Sequence, residues 1–177
     1  MKKKTVIETE RLYIADAVKE DIPFIMDMEQ RRENRNFVWQ GTLEEHETEI
    51  DDENVLLVVF KEKKEDGTIG EENIGYALNH INPKSEIFEL RRIVINKKGQ
   101  GYGKEVISAL IKLAFEELGT NRFWLDVYPD NTVGILLYES LGMHRDGVLR
   151  QNYKSERGYL DQIVYSILKE EYFAENK

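Results

Sequence analysis

The stretch Arg91-Arg92-Ile93-Val94-Ile95-Asn96-Lys97-Lys98-Gly99-Gln100-Gly101-Tyr102-Gly103-Lys104 constrains this chain most, because an apolar strand ending runs into three alternating glycines and then a long amphipathic helix. Glycines admit positive φ and let a backbone approach a ligand closely, while the free N–H groups and positive dipole end of the following helix face an anion. This is the layout of an anion-binding turn. A plain strand-to-helix connection uses the same glycines, so the turn alone does not name a ligand.

The pattern around it is mixed α/β. Alternation over Val6 to Ala15 predicts a first strand, Glu20 to Met28 has mostly helical spacing, and Thr42-Leu43-Glu44-Glu45 is a capping box that should open a short helix. Val55 to Phe60 predicts a strand, Lys64-Glu65-Asp66-Gly67 a turn, and the charged stretch Lys61 to Glu72 a solvated loop. Strands are expected over Asn73 to His80 and Glu86 to Ile95, joined by a hairpin at Asn82-Pro83-Lys84-Ser85. The helix from Gly103 to Leu118 repeats Ile107, Leu110, Ile111, Ala114, Phe115 and Leu118 on one face, and Gly119 stops it. Arg122 to Val127 predicts a strand, Asn131 to Leu141 a helix ended by Gly142, and Val148 to Tyr153 with Leu160 to Leu168 a closing strand pair.

A chain of 177 residues suits one domain. No apolar run approaches the roughly 20 residues of a membrane-spanning helix, and no apolar signal core follows Lys2 to Lys4, so neither membrane insertion nor secretion is expected. With no cysteine there is no disulfide framework, thiolate metal cluster or cysteine nucleophile, and a cytoplasmic address is expected. The net charge of -9 argues against nucleic acid as a partner and mildly favours cationic substrates, although solubility alone accounts for it as well. His46, His80 and His144 lie far apart and show no metal-ligand spacing, so no metal is expected.

Asn131 and Tyr138 stand seven positions apart in Asp130-Asn131-Thr132-Val133-Gly134-Ile135-Leu136-Leu137-Tyr138-Glu139-Ser140-Leu141-Gly142-Met143. Together with the glycine turn, and from Thr9-Glu10-Arg11-Leu12 to the last strand, the chain resembles the GNAT family of acyl-CoA-dependent N-acetyltransferases, in the branch of ribosomal-protein and polyamine acetyltransferases. The resemblance implies an α/β (α+β) fold with a mixed, mostly antiparallel sheet of about seven strands flanked by about four helices. It implies acetyl-CoA as cosubstrate, an amine-bearing small molecule or peptide as partner, and allows a homodimer. The family signature, Gln or Arg, two residues, Gly, one residue, Gly or Ala, falls on Lys98, Gly101 and Gly103; lysine departs from it but retains a cation. By resemblance Ile93, Val94 and Ile95 offer backbone groups to the pantetheine arm. Lys98, Gly99, Gln100, Gly101, Tyr102, Gly103 and Lys104 would hold the pyrophosphate, with Arg92 a structural or rim charge.

Asn131 suits a helix cap, and by resemblance it also touches the coenzyme. A tyrosine at helical spacing is ordinarily a core residue; by resemblance Tyr138 protonates the departing thiolate, which its neutral phenol can do at pH 7. Two carboxylates could serve as general base, Asp126 on Arg122 to Val127 and Glu89 on Glu86 to Ile95, unless either pairs with Arg91 or Arg122. Direct transfer in a ternary complex is the economical mechanism, since no cysteine is present to carry the acyl group.

An N-terminal amine, with pKa near 8, is far easier to deprotonate than a lysine ammonium near 10.4. Glu29, Glu33, Phe37, Trp39 and Tyr153 could line an acidic aromatic pocket for the acceptor, or be ordinary surface charges around a partly buried Trp39. Two further readings compete: aminoglycoside acetylation, and a noncatalytic acyl-CoA-binding module. A dinucleotide site fails, because its fingerprint follows the first strand of a parallel βαβ unit, whereas this turn follows a later one.

Overall fold

In the computed structural model, which describes residues 4–175, the N-terminal alternation forms two strands, β1 (Val6–Glu8) and β2 (Leu12–Asp16). The break has a local cause. Thr9 Oγ1 accepts the Leu12 amide at 2.9 Å and Thr9 N donates to Leu12 O at 2.9 Å, closing a turn that alternation alone does not register. Lys2 and Lys3 lie outside the described residues.

The remaining elements run α1 (Ile22–Gln30), α2 (Leu43–Asp51), β3 (Val55–Lys63), β4 (Ile69–Asn82), β5 (Ile87–Ile95), α3 (Tyr102–Lys112), β6 (Arg122–Val127), α4 (Thr132–Ser140), β7 (His144–Ser155), β8 (Gly158–Leu168) and α5 (Lys169–Glu175). Eight strands and five helices are thus described, the eighth strand arising from the split at Thr9 and the fifth helix from the charged segment after β8. The chain forms two compact units, one of the residues up to Ile81 with Leu90–Ala109, the other of Asn82–Glu89 with the residues from Leu110 on.

In the first unit β1, β2, β3 and β4 pair antiparallel in sequence order. All six residues of Val55 to Phe60 are buried, so both faces of β3 are covered and the run reads as continuously apolar. Ala17, Ile25, Met28, Val55, Leu57, Val59, Tyr76, Leu78 and Val94 form one core cluster. Thr42 opens α2 as the capping box requires: its hydroxyl accepts Glu45 N at 3.3 Å, and Glu45 Oε2 accepts Thr42 N at 2.8 Å.

The expected solvated loop over Lys61 to Glu72 is corrected. β3 continues to Lys63 and β4 starts at Ile69, so only a turn remains, closed by Gly67 N to Lys64 O at 2.8 Å with Gly67 at φ 81°. A ribbon whose side chains are mostly charged and at most half-buried needs no apolar alternation, and its ladder is made by the backbone.

Gly75 marks a close approach within this unit. A Cβ there would lie 2.4 Å from Val94 O and 3.1 Å from Ile95 Cα, backbone atoms that cannot swing aside. We therefore expect Gly75→Ala to push the end of β5 off β4 and cost about 1–3 kcal/mol, read as a lower Tm. An unchanged Tm would show that this strand yields freely.

In the second unit β6 and β7 both pair antiparallel with β8, Asp126 lying opposite Val164. Phe88 stacks on Phe123 at 5.3 Å, and Leu110, Ile111, Ala114 and Phe115 are buried. The helix expected up to Leu118 widens to π geometry over Leu113–Glu117, with Leu118 N bonded to Leu113 O at 3.0 Å before Gly119 turns the chain at φ 67°. β7 starts four residues before the expected Val148, since His144 and Arg145 pair with Ser166 and Tyr165; His144-Arg145-Asp146-Gly147 carry no apolar pattern to announce it.

Candidate functional site

The glycine turn belongs to the first unit. β5 ends at Ile95, Val94 is buried in the core cluster, and Ile93 and Ile95 are half-buried. Gly99 and Gly101 take φ of 76° and 77°, the left-handed values that favour glycine. Gly103 sits inside the first turn of α3. Glu105 N to Gly101 O, at 3.2 Å, is a first-turn bond of that helix, so the amides of Tyr102, Gly103 and Lys104 precede it as donors without an intrahelical acceptor. Lys98, Gly99, Gln100, Gly101 and Lys104 are exposed. Positive φ at two glycines, first-turn amides without an intrahelical acceptor and a helix dipole suit a diphosphate. Lys98 Nζ donates to Asn34 Oδ1 at 3.1 Å, and the Tyr102 hydroxyl donates to Glu62 at 2.5 Å.

The second unit holds Asn131, Tyr138, Asp126 and Glu89. Asn131 Oδ1 accepts Gly134 N at 3.0 Å, so the asparagine does cap α4. Two turns on, Tyr138 is buried at 7% exposure, its ring 6.1 Å from that of Tyr165. Asp126 accepts Gln162 Nε2 at 2.6 Å, and Arg122 pairs with Asp146 at 2.6 Å. Burial first, and the Glu89 charge second, raise Asp126 to about 6 against the Gln162 hydrogen bond. Burial, and then the Asp126 charge, push Tyr138 up to about 12. Glu89, Asp126 and Tyr138 are therefore an electrostatically linked set, and two carboxylates weighed as alternatives act on one another.

Glu29, read from the sequence as either a wall of an acceptor pocket or an ordinary surface charge, is neither, and both readings are corrected. Its side chain is fully buried, accepting Gly41 N at 2.8 Å, the Tyr76 hydroxyl at 2.7 Å and Arg92 Nη1 at 3.1 Å, with His46 Nε2 at 3.2 Å. Glu49 completes the group through His46 Nδ1 at 2.8 Å and Arg92 Nη2 at 2.6 Å. Arg92 is thus a structural charge, as expected. Burial alone would lower His46, but hydrogen bonds and charge from Glu29 and Glu49 raise it to about 9. Burial alone would raise Glu29, yet hydrogen bonds from His46, Tyr76 and the Gly41 amide hold it below the usual carboxylate value. The group is two carboxylates against two cations.

Sequence reasoning gave His46 no role. The available signal was His46-x-x-Glu49 on the helix opened by Thr42, which places both side chains on one face. Of the other pocket residues, Phe37 and Trp39 are each 39% exposed, Trp39 under the Arg92 guanidinium at 4.8 Å, and Glu33 is exposed. Tyr153, in the second unit, faces the Tyr128 ring at 5.8 Å. Among the described residues no group of three or more His, Asp or Glu is placed to hold a metal, and no helix is long and apolar enough to cross a membrane.

Residues 11–144 match the family described as acetyltransferase (GNAT) domain. The chain is similar to an uncharacterised N-acetyltransferase, p20, of Bacillus licheniformis, 34% identical over 121 residues that cover 67% of this chain and 64% of that protein. The chain thus spans just under two thirds of that relative's length. It is also similar to a ribosomal-protein alanine N-acetyltransferase of Escherichia coli, 27% identical over 55% of this chain and 73% of that one. By fold it is similar to a dodecameric spermidine N-acetyltransferase from Vibrio cholerae, with a TM-score of 0.76 at 20% identity over 96% of this chain and all of that one.

Proposed function

Because this chain belongs to the GNAT acetyltransferase family, we propose that it moves the acetyl group of acetyl-CoA to a primary amine by direct attack in a ternary complex. The observation that carries the proposal is a pair of titratable groups pushed apart: Asp126 at about 6, next to a Tyr138 phenol at about 12. At pH 7 about nine tenths of a carboxylate with pKa 6 is ionised and can take a proton, while the phenol is neutral and can give one.

The neutral amine attacks the thioester carbonyl, whose developing charge is met by a backbone amide of β5. Asp126 takes the ammonium proton of the tetrahedral adduct. The carbon–sulfur bond then breaks, and Tyr138 protonates the thiolate. Solvent returns the Asp126 proton to the phenolate, which restores both groups and leaves amide and free thiol. In the first unit the turn Lys98 to Lys104 takes the pyrophosphate, and Ile93 to Ile95 take the pantetheine arm; Asn131 is a further coenzyme contact in the second. We read both units as parts of one GNAT domain, since the family match runs through residues of each.

The acceptor is a peptide N-terminus, a polyamine or another small amine, a range supported by the relatives' alanine and spermidine activities and by the acidic surface. A cytoplasmic setting suits a cysteine-free chain. Thiol release from acetyl-CoA, measured across N-terminal peptides, polyamines and aminoglycosides, tests the reading, and the missing cysteines keep the background low. Release dependent on one amine class supports it; silence despite stabilisation by acetyl-CoA would instead mark a noncatalytic coenzyme binder.

The base can be assigned by its pH limb. If Asp126 is the base, kcat/KM falls below about pH 6, and Asp126→Asn abolishes that limb. Glu89→Gln removes a neighbouring negative charge, so it should lower the Asp126 pKa and move the limb to more acidic pH with activity retained. Loss of activity in Glu89→Gln with an unmoved limb in Asp126→Asn would reverse the assignment.

A further inference from the structure

The Thr9-Glu10-Arg11-Leu12 segment carries part of the family likeness, yet nothing in the reaction above uses it. In the structure Arg11 reaches the glycine turn, some 90 residues on, through its whole side chain. Nη1 donates to Gln100 O at 2.8 Å and Nε to Glu105 Oε2 at 2.7 Å; Nη2 lies 2.6 Å from the same carboxylate oxygen. Its backbone N donates to Glu105 Oε1 at 3.0 Å, and the Thr9 hydroxyl to that oxygen at 2.5 Å. The guanidinium also lies over the Tyr102 ring at 4.6 Å from its centroid. Arg11 therefore touches the turn before α3, the first residue of α3 and the fourth. Lys63 N donates to Arg11 O at 2.8 Å, which ties this brace to β3.

We propose that Arg11 is a positioning residue for the diphosphate of the coenzyme, an inference that rests on the acetyltransferase reading. The reason is geometric. Gln100 C=O and Gly101 N–H belong to one planar peptide unit and point in opposite directions. Holding the carbonyl oxygen on Arg11 fixes where the Gly101 amide aims, on the side away from the guanidinium. Gly101, at φ 77°, belongs to the residue type with the widest conformational range, so without the brace its peptide plane is free to rotate. The Glu105 contact fixes the first turn of α3 in the same frame, so the amides of Tyr102, Gly103 and Lys104 keep their direction relative to Gly101. Arg11 makes an anion cradle rigid before the anion arrives, which reduces the ordering cost of binding.

Arg11→Ala and Arg11→Lys test this with acetyl-CoA and with S-acetylpantetheine, a donor with the same thioester and no pyrophosphate. Arg11→Ala should raise KM for acetyl-CoA, and Kd for CoA by calorimetry, about tenfold, the loss of roughly one charge-assisted hydrogen bond. The loss should be confined to acetyl-CoA: kcat/KM with S-acetylpantetheine stays within about twofold of the unmodified protein. Lysine reaches one of the two acceptors, so Arg11→Lys should fall between, and it keeps the test alive if the alanine variant folds poorly. Equal CoA affinity in both variants, or the same fractional loss with both donors, overturns the proposal, the latter because a merely structural residue would harm both. Failure of the unmodified protein to bind CoA would instead remove the acetyltransferase reading itself, and this proposal with it.

Discussion

Tyr138→Phe is expected to lower kcat with acetyl-CoA by about 10²- to 10⁴-fold, the range for loss of a positioned general acid, while the affinity for CoA stays nearly unchanged. The substitution removes one oxygen from a buried ring and leaves its packing against Tyr165 in place, so the α4 helix and the Asn131 cap at its start are preserved. What it removes is the proton for sulfur, so the thiolate must leave as an anion. Single-turnover rates together with CoA calorimetry separate the two quantities. A wild-type rate in the variant would withdraw the acid role. Because burial and the Asp126 charge hold the phenol near 12, Tyr138 should contribute no basic limb to the rate profile up to about pH 10.

The largest effect on stability is expected at Glu29. Glu29→Gln keeps the shape of the side chain but leaves His46 and Arg92 facing Glu49 as their one carboxylate in the group, and breaking a buried pair in this way costs roughly 3–5 kcal/mol. For a chain of this size that lowers Tm by about 10 °C, read by thermal or urea unfolding. The pH dependence has a defined sign. His46 is raised from 6.5 to about 9, so its contribution is complete below pH 6.5 and is lost as pH rises through about 9. Glu29 is depressed from 4.5, so its contribution is present above pH 4.5 and is lost as pH falls through its own lower value. Stability from this group should therefore be greatest between about pH 4.5 and 6.5. In Glu29→Gln the decline from pH 6.5 to 9 should shrink, because His46 has lost a partner that raised it. Equal stability of the two proteins at pH 6 would show that Glu29 contributes no net stability to the fold.

The elements legible in the sequence were those written in local code. Thr42 and Glu45 cap one another three residues apart, Gly119 and Gly142 end their helices at positive φ, and Arg122 to Val127 forms a strand with the expected bounds. Alternation failed where a side chain closed a turn, at Thr9, and where a hairpin was mostly charged, between Lys61 and Glu72. At the site, the sequence could name Asp126 and Glu89 but not their mutual repulsion, since they lie on different strands. The Glu29 group was invisible for a stronger reason. Glu29 meets His46, Tyr76 and Arg92 across 17, 47 and 63 residues, and a carboxylate near the end of a helix carries no mark of where it will be buried.

That charged group also has a thermal consequence. The cost of stripping water from ions falls on warming, because ion hydration carries a strongly negative entropy, whereas the gain from apolar burial levels off. An apolar replacement of all four, Glu29, Glu49, His46 and Arg92, should therefore compare best with the unmodified chain in the cold and lose ground as the solution is heated. The interior of the first unit is built to hold better hot than its oil-like part alone would allow.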